Sequence, residues 1–421
     1  MRLRLVVVIS LITYVCAYAH AIDVATPFVI TGSSTHASLV ETEALKAAGA
    51  THARAYCLWR YAQPKLTELQ SNETVEWLRA NPAAVYAWGE QWLNWNDAEA
   101  RITAAEKAGL IVIAEAFEGT VFGLPHLAIG SKHDGQPADP NYIGEDVYLA
   151  YAYRYTRCLV HRYKGRVHFW QIENELNEAW LAGWGGQRVR DIGGSWRSFA
   201  FLTQALTVLH QAVRDEDPSA LLTTNLHTDV SAKLHELLLL PGFYLDAAVK
   251  WNGLVDIWSM DGYPNMFVPY PLLGEQVCER LALLQNATEK EAFIMETGYP
   301  VSNTGGLNFT ARHASEYIAT LAPCGKRLFY FEMTVSSGIT PMPGGYTPQD
   351  IEAMAMLSKL SEEESAVPIF EWLLEKGNLH YAETRLASLA SSIQSGWGLL
   401  FQNGTVRDPQ YSALRQVFTS P

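Results

Sequence analysis

Short runs of β-branched and aromatic residues recur along the chain, and longer stretches with apolar positions every three to four residues separate them. Eight runs predict strands: about 27–33 (PFVITGS), 52–59 (HARAYCLW), 109–117 (GLIVIAEAF), 167–175 (VHFWQIENE), 221–227 (LLTTNLH), 255–263 (VDIWSMDGY), 291–297 (EAFIMET) and 327–333 (RLFYFEM). Between them the helical period predicts helices, among them Glu41 to Ala50, Asp97 to Ala108, Asp146 to Tyr163, Ser195 to Asp215 and Ala311 to Leu321. Eight alternating units point to a (β/α)₈ barrel, the TIM-barrel architecture. The rival, an open doubly wound sheet, usually carries a glycine-rich phosphate turn after an early strand, and neither G-x-G-x-x-G nor G-x-x-x-x-G-K-[ST] occurs.

Length and composition refine this picture. A chain of 421 residues, 48% apolar and 18% charged, excludes disorder and coiled coil. The units are longer than a minimal barrel needs, which predicts long loops after strands 2, 3, 4 and 8. After strand 8 a Pro/Gly-rich stretch from Gly338 to Pro348 precedes two Glu/Leu-rich helical patterns, read as a helical insertion at about 345–394 within one catalytic domain spanning 22–421.

Residues 1–21 have the form of a secretory signal peptide: Arg2 and Arg4, an apolar run from Leu5 to Val15, and Ala17-Tyr18-Ala19 or Ala19-His20-Ala21 for cleavage. The apolar run falls short of the roughly 20 residues a membrane span requires, so cleavage and secretion are expected, with no stable membrane association. The net charge of −13 becomes −15 without that segment. A chain this acidic, with no long Lys/Arg run, is a poor partner for nucleic acid. Four N-x-T sites, at Asn72, Asn286, Asn308 and Asn403, add an expectation of glycosylation. Of the cysteines left after cleavage, Cys57, Cys158, Cys278 and Cys324, the first guess for a disulfide is Cys278 with Cys324; four buried thiols is the alternative.

In a barrel of this kind chemistry gathers at the C-terminal ends of the strands. Glu175 ends strand 4 and Glu296 ends strand 7, three units apart, which sets them across the barrel mouth. Glycoside hydrolysis needs such a pair, one protonated acid to assist the leaving oxygen and one carboxylate to attack or to activate water. A separation of about 5–5.5 Å gives retention through a covalent intermediate, and roughly 6.5 Å or more gives inversion. A metal-dependent hydrolase would need ligand clusters such as H-x-H or H-E-x-x-H, and a serine hydrolase a G-x-S-x-G elbow; none occurs, so neither metal nor cofactor is expected.

The motifs carry a family resemblance. Trp170 to Glu175 resembles the strand-4 Asn-Glu signature of clan A glycoside hydrolases, closest to the Gln-x-x-Asn-Glu of the β-galactosidase families. Glu296-Thr297-Gly298-Tyr299-Pro300 is similar to the strand-7 nucleophile segment of that clan, as in plant-type β-1,3-glucanases and endo-galactanases. The two agree on clan and differ on family. The resemblance implies Glu175 as general acid and then base, Glu296 as nucleophile, and Asn174 as partner of the hydroxyl beside the reacting carbon. It further implies that Arg54 keeps the nucleophile ionised and that Tyr263 hydrogen-bonds it. Plainer readings pair Arg54 with Glu115 or Asp261 and make Tyr263 strand-end packing. Glu173, two residues before Glu175, is a barrel-interior charge partner or a competing acid.

At the end of strand 8, where the clan usually carries a tryptophan as a floor for the sugar, this chain has Phe329-Tyr330-Phe331-Glu332, so Tyr330 or Phe331 takes that place. Trp59, Trp88, Trp92, Trp95, Trp180 and Trp184 fall in the loops after strands 2 and 4, and offer faces for sugar rings or packing for the loops. The resulting expectation is a secreted retaining glycosidase that cleaves β-linked oligo- or polysaccharide by double displacement. A transglycosylase on the same site and a non-catalytic carbohydrate-binding barrel are the alternatives. Oligomeric state, sugar and linkage are left open.

Overall fold

The computed structural model describes residues 28–35, 39–69, 73–119, 123–178, 194–228, 242–263, 274–299, 301, 311–333, 347–350, 352, 375, 378, 385, 398–400 and 403–420. The signal segment, Trp180, Trp184 and nearly all of the expected helical insertion lie outside them.

Eight parallel strands close into a barrel: β1 (Ile30–Thr35), β2 (His52–Tyr56), β3 (Ile111–Glu115), β4 (Phe169–Asn174), β5 (Leu221–His227), β6 (Trp258–Asp261), β7 (Ala292–Glu296) and β8 (Arg327–Tyr330). Each pairs with the next in chain order, and β8 closes on β1 through Ile30↔Arg327 to Ser33↔Tyr330. Every strand is followed by a helix: α1 (Leu39–Ala47), α2 (Asn96–Lys107), α3 (Glu145–Tyr163), α4 (Phe199–Glu216), α5 (Tyr244–Trp251), α6 (Gly274–Thr288), α7 (Ala311–Thr320) and α8 (Gln410–Thr419). This is a (β/α)₈ barrel.

Local chemistry sets the element ends. In α2, Asp97 and Glu99 occupy the first turn and Lys107 the last, so each charge opposes the helix dipole. The helix expected from Ser195 splits: Ser195–Arg197 form a 3₁₀ turn, and Ser198 caps α4 by accepting Phe201 N–H at 3.3 Å. A capping serine favours extended backbone and therefore breaks the continuity that periodicity suggests.

Alternation along the strands builds two cores. Outward residues such as Ala53, Ala55, Val112, Ala114, Trp170, Ile172, Leu222 and Leu226 pack against the helices. Inward residues Ile30, Ile113, Phe169, Phe293, Met295 and Phe329 form a separate apolar plug inside the barrel. Gly32 of β1 is shaped by that plug: a Cβ there would lie 2.6 Å from both His52 O and the Phe329 ring. Only a residue without a side chain lets the strand approach so closely.

The segment between β2 and α2 contains the helices Trp59–Ala62, Val75–Ala80 and Pro82–Trp92, and the last two pack on α3. Trp59 stacks on Tyr151 at 5.2 Å and on Tyr155 at 6.2 Å, Trp88 tilts against Tyr151, and Trp95 stacks on Tyr155. Here the structure corrects an expectation. Trp59 is wholly buried, with its indole N–H on Gln63, and so offers no face to a sugar; with Trp88, Trp92 and Trp95 it fastens the loop to the barrel wall.

Cys278 of α6 and Cys324, just before β8, form a disulfide, their Cα atoms 5.5 Å apart. Cys57 and Cys158 are buried free thiols. Among the described residues no helix is long and apolar enough to cross a membrane.

Candidate active site

Above the apolar plug, toward the C-terminal strand ends, the barrel interior becomes polar. Arg54 of β2 is its hub and is fully buried. Its Nε donates to Gln171 Oε1 at 2.7 Å, its Nη2 to Glu115 Oε2 and Asn174 Oδ1, both at 2.9 Å, and its Nη1 to Glu296 Oε1. The second oxygen of Glu296 accepts from the Tyr263 hydroxyl at 2.8 Å. Asn225 of β5 donates to Asn174 Oδ1 at 2.7 Å and to Asp261 Oδ2, and it accepts from Gln171 Nε2 at 2.6 Å.

Simple alternation would not produce this arrangement. On β4, Gln171 pairs with Thr223 and Asn174 with Asn225, three steps against two. On β7, Ile294 pairs with Met260 while Glu296 pairs with the very next residue, Asp261, so Met295 is extra. Each strand thus holds one surplus residue near its end, a bulge that reverses the inward–outward phase of the residues beyond it. As a result Asn174 and Glu296 reach the Arg54 cluster, although Phe169, Gln171, Phe293 and Met295 had already taken the inward phase. The bulge also settles Glu173. Its Oε1 accepts the main-chain N–H groups of Gly119 at 2.8 Å and Asn174 at 3.1 Å, so it serves to tie down backbone.

Glu175 comes directly after β4, with φ of 47°, a left-handed conformation that is uncommon for a side chain of this size and is found preferentially at functional sites. Its Oε1 is 4.0 Å from His227 Nε2 of β5. Exposure separates the acids. The side chains of Glu175 and Glu296 are 20% and 11% accessible, whereas that of Glu115 is 1%. The two glutamates named from the motifs are therefore the members of the cluster that solvent, or a ligand, can reach.

Electrostatics is governed by one buried cation among several acids. Burial works against the Arg54 charge, but Glu115, Tyr56, Glu296 and Asp261 outweigh it and raise its pKa well above the usual arginine value. Burial pushes Glu115 well above the carboxylate range despite Arg54. Asp261 rises through burial, then through Glu296 and Glu175. Tyr263 is raised by burial and then by Glu296, Asp261 and Glu175, which keeps the phenol proton in place as a donor to Glu296.

The structure brings Arg54, Asn174, Tyr263 and Glu296 into one bonded network and places Glu175 beside it. The two pairings weighed for Arg54 coexist, since it holds both Glu296 and Glu115. Tyr330 does not join the site. It is outward on β8, buried, with its hydroxyl 3.1 Å from Tyr299 N. Phe331, one step on, is half-buried and edge-on to the Tyr263 ring at 6.3 Å, which makes it the aromatic nearest the cluster on that strand. Trp180 lies outside the described residues. Sequence patterns alone named Asp261 only as a pairing option for Arg54 and Gln171 only within the strand-4 motif, and did not single out Asn225 or His227. Their signal is polar residues at alternate positions near strand ends, Thr223-Asn225-His227 on β5 for example, where a barrel strand otherwise alternates apolar residues.

No family model matches the chain, and no curated protein matches it. Solved structures do. Fpglu1 from Fervidobacterium pennivoraus aligns over 91% of this chain and 83% of its own, with TM-score 0.56 and 10% identity. A family 5 glycoside hydrolase from Streptomyces cattleya, in complex with Manβ1-4GlcNAc, aligns over 92% and 80%, with TM-score 0.52 and 12% identity. A family 39 glycoside hydrolase from Bacteroides cellulosilyticus aligns over 93% of this chain, which spans 63% of that protein, with TM-score 0.48 and 15% identity. At such identities the likeness is one of fold. What is shared is the (β/α)₈ barrel, and no single family is singled out.

Proposed function

We propose that the chain is a retaining glycoside hydrolase acting on β-linked oligo- or polysaccharide. The observation that supports this most is the contrast at the barrel mouth. Glu296 is clamped by a guanidinium and a phenol at the end of β7, and Glu175 stands at the end of β4 with a different neighbour, His227. In this reading Glu296 attacks the anomeric carbon while Glu175 gives its proton to the departing oxygen. The glycosyl ester so formed leaves Glu296 without charge, while Arg54 stays held by Gln171, Glu115 and Asn174. Glu175, now ionised, takes a proton from water, whose oxygen displaces Glu296 and frees the sugar with its original configuration.

Asn174 suits a role beside the reacting carbon. Its Oδ1 is occupied by Arg54, Asn225 and Gln171, which turns the amide so that its NH₂ is the end available to a sugar hydroxyl. Phe331, not Tyr330, is the aromatic offered to the ring. The proposal extends to secretion. Asn403 is exposed in a turn with Thr405 at the acceptor spacing, and the Cys278–Cys324 bridge suits an oxidising compartment.

The test is a panel of β-linked polysaccharides and aryl β-glycosides assayed with wild type, Glu296→Ala and Glu175→Ala, with and without chelator. Glu296→Ala is expected to lose turnover and to regain it with azide, giving a glycosyl azide of inverted configuration. Glu175→Ala is expected to keep activity only on aryl glycosides with good leaving groups. Product configuration by NMR separates retention from inversion, and glycosylated rather than free-sugar products would mark transfer instead of hydrolysis. Undiminished turnover of polysaccharide by either variant overturns the proposal.

A further inference from the structure

One acid in the cluster has no task in the double displacement. Asp261 is fully buried at the end of β6, in register with His227 of β5 and Glu296 of β7. Asn225 donates to its Oδ2, whereas its Oδ1 meets no N–H or O–H among the described residues. The carboxyl that faces it is that of Glu175, which stands 4.0 Å from the imidazole of His227, the residue paired with Asp261 across β5 and β6. Glu175 acts on Asp261 as a hydrogen-bonding and like-charged neighbour. Two carboxyl groups in contact, one of them fully buried, do not both stay ionised. One of them holds a proton, and that proton supplies the hydrogen their contact lacks.

The charged and titratable groups around Asp261 are Glu296 from β7, Glu175 from β4, Arg54 from β2, His227 from β5 and Tyr263 just beyond its own strand. The guanidinium is bonded to Glu296 and Glu115, not to Asp261. We infer that Asp261 is a positioning residue for the acid/base: its carboxyl and that of Glu175 share one proton across their contact, and the pair sets the pH range in which Glu175 can protonate a leaving oxygen. The inference rests on the glycosidase reading.

Removing the second proton from such a pair puts two anions side by side, one of them fully buried, so it is lost only at high pH. The alkaline limb of kcat/KM therefore belongs to the pair. Asp261→Asn keeps the volume and can donate an amide N–H to Glu175, but removes the second charge. Its alkaline limb is expected to fall by about one pH unit or more, whereas a merely structural role would lower the rate without moving the limb. In a Glu175→Ala background, assayed on an activated aryl glycoside, the same substitution is expected to shift nothing.

An unmoved limb in Asp261→Asn, with Glu175→Ala impaired, overturns this inference alone. A Glu175→Ala enzyme as good as wild type on polysaccharide overturns the glycosidase reading instead. Should Asp261→Asn fail to fold, infrared difference spectra of wild type against Glu175→Gln decide the matter. A protonated-carboxyl band at neutral pH that the substitution displaces or removes is expected, and identical spectra overturn the proposal.

Discussion

Within the barrel, the same strands build an apolar floor and a polar ceiling two residues apart. Ile113 and Phe169 belong to the floor; Glu115 and Gln171, the next inward residues on the same strands, belong to the Arg54 network. The floor is sealed by rings and branched chains at close contact, such as Phe293 against Phe169 and Phe329. The ceiling places a single buried guanidinium among Glu296, Glu115 and Asp261, with Glu175 beside them. The two layers divide the labour. The floor supplies burial and keeps water from below, and this in turn makes each charge in the ceiling costly to leave unpartnered.

The largest effect is expected at the hub of the ceiling. Arg54→Met leaves Glu115 and Glu296 without their shared cation, and we expect a loss of about 3–5 kcal/mol in urea unfolding, together with loss of polysaccharide turnover. Arg54→Lys is expected to recover part of the stability but little activity, because one ammonium cannot reach Gln171, Glu115, Asn174 and Glu296 together. Phe293→Ala in the floor opens a cavity and should cost a similar 3–5 kcal/mol or so, yet leave turnover per folded molecule within about twofold. If both substitutions damage turnover equally, floor and ceiling do not divide stability and chemistry between them.

A smaller effect separates the layers through pH. His52, beside Phe329 at the edge of the floor, has its pKa lowered by burial from 6.5 to about 4. The folded ring stays neutral while the unfolded ring takes up a proton below about 6.5. Its share of stability is therefore full above that pH and is lost as pH falls toward 4, by roughly 3 kcal/mol at most. The ceiling acids run the other way. Glu115 and Asp261 are raised above their unfolded values, so their contribution is present at low pH and declines as pH rises. Urea midpoints of His52→Gln are expected to vary less than those of wild type between pH 6.5 and 4, and an unchanged slope there would show that His52 has no part in the acid sensitivity.

Most of the architecture was legible because it depends on periodicity. All eight predicted strands overlap the barrel strands, and the helix patterns fall within a few residues of α1, α2, α3, α4 and α7. The catalytic candidates were legible because their motifs are local. What escaped depends on tertiary phase. Trp59 and Tyr330 have the right chemistry for a sugar platform, but burial against Tyr151 and Tyr299 takes them out of reach. Asp261 and Asn225 lie in different strands and gain meaning only through register with Glu296 and Asn174.

The surplus residues on β4 and β7 have a further consequence. Because each site strand switches phase through its length and not through the identity of its side chains, the arrangement is controlled by insertion and deletion. Removing Met295 would return Glu296 to the phase of the preceding inward residues but draw it one step down toward Phe293. Removing a residue between Gln171 and Asn174 would likewise re-aim everything beyond it. For anyone moving this cluster onto another barrel, the unit to transplant is a pair of strands one residue too long, together with the glutamates they carry.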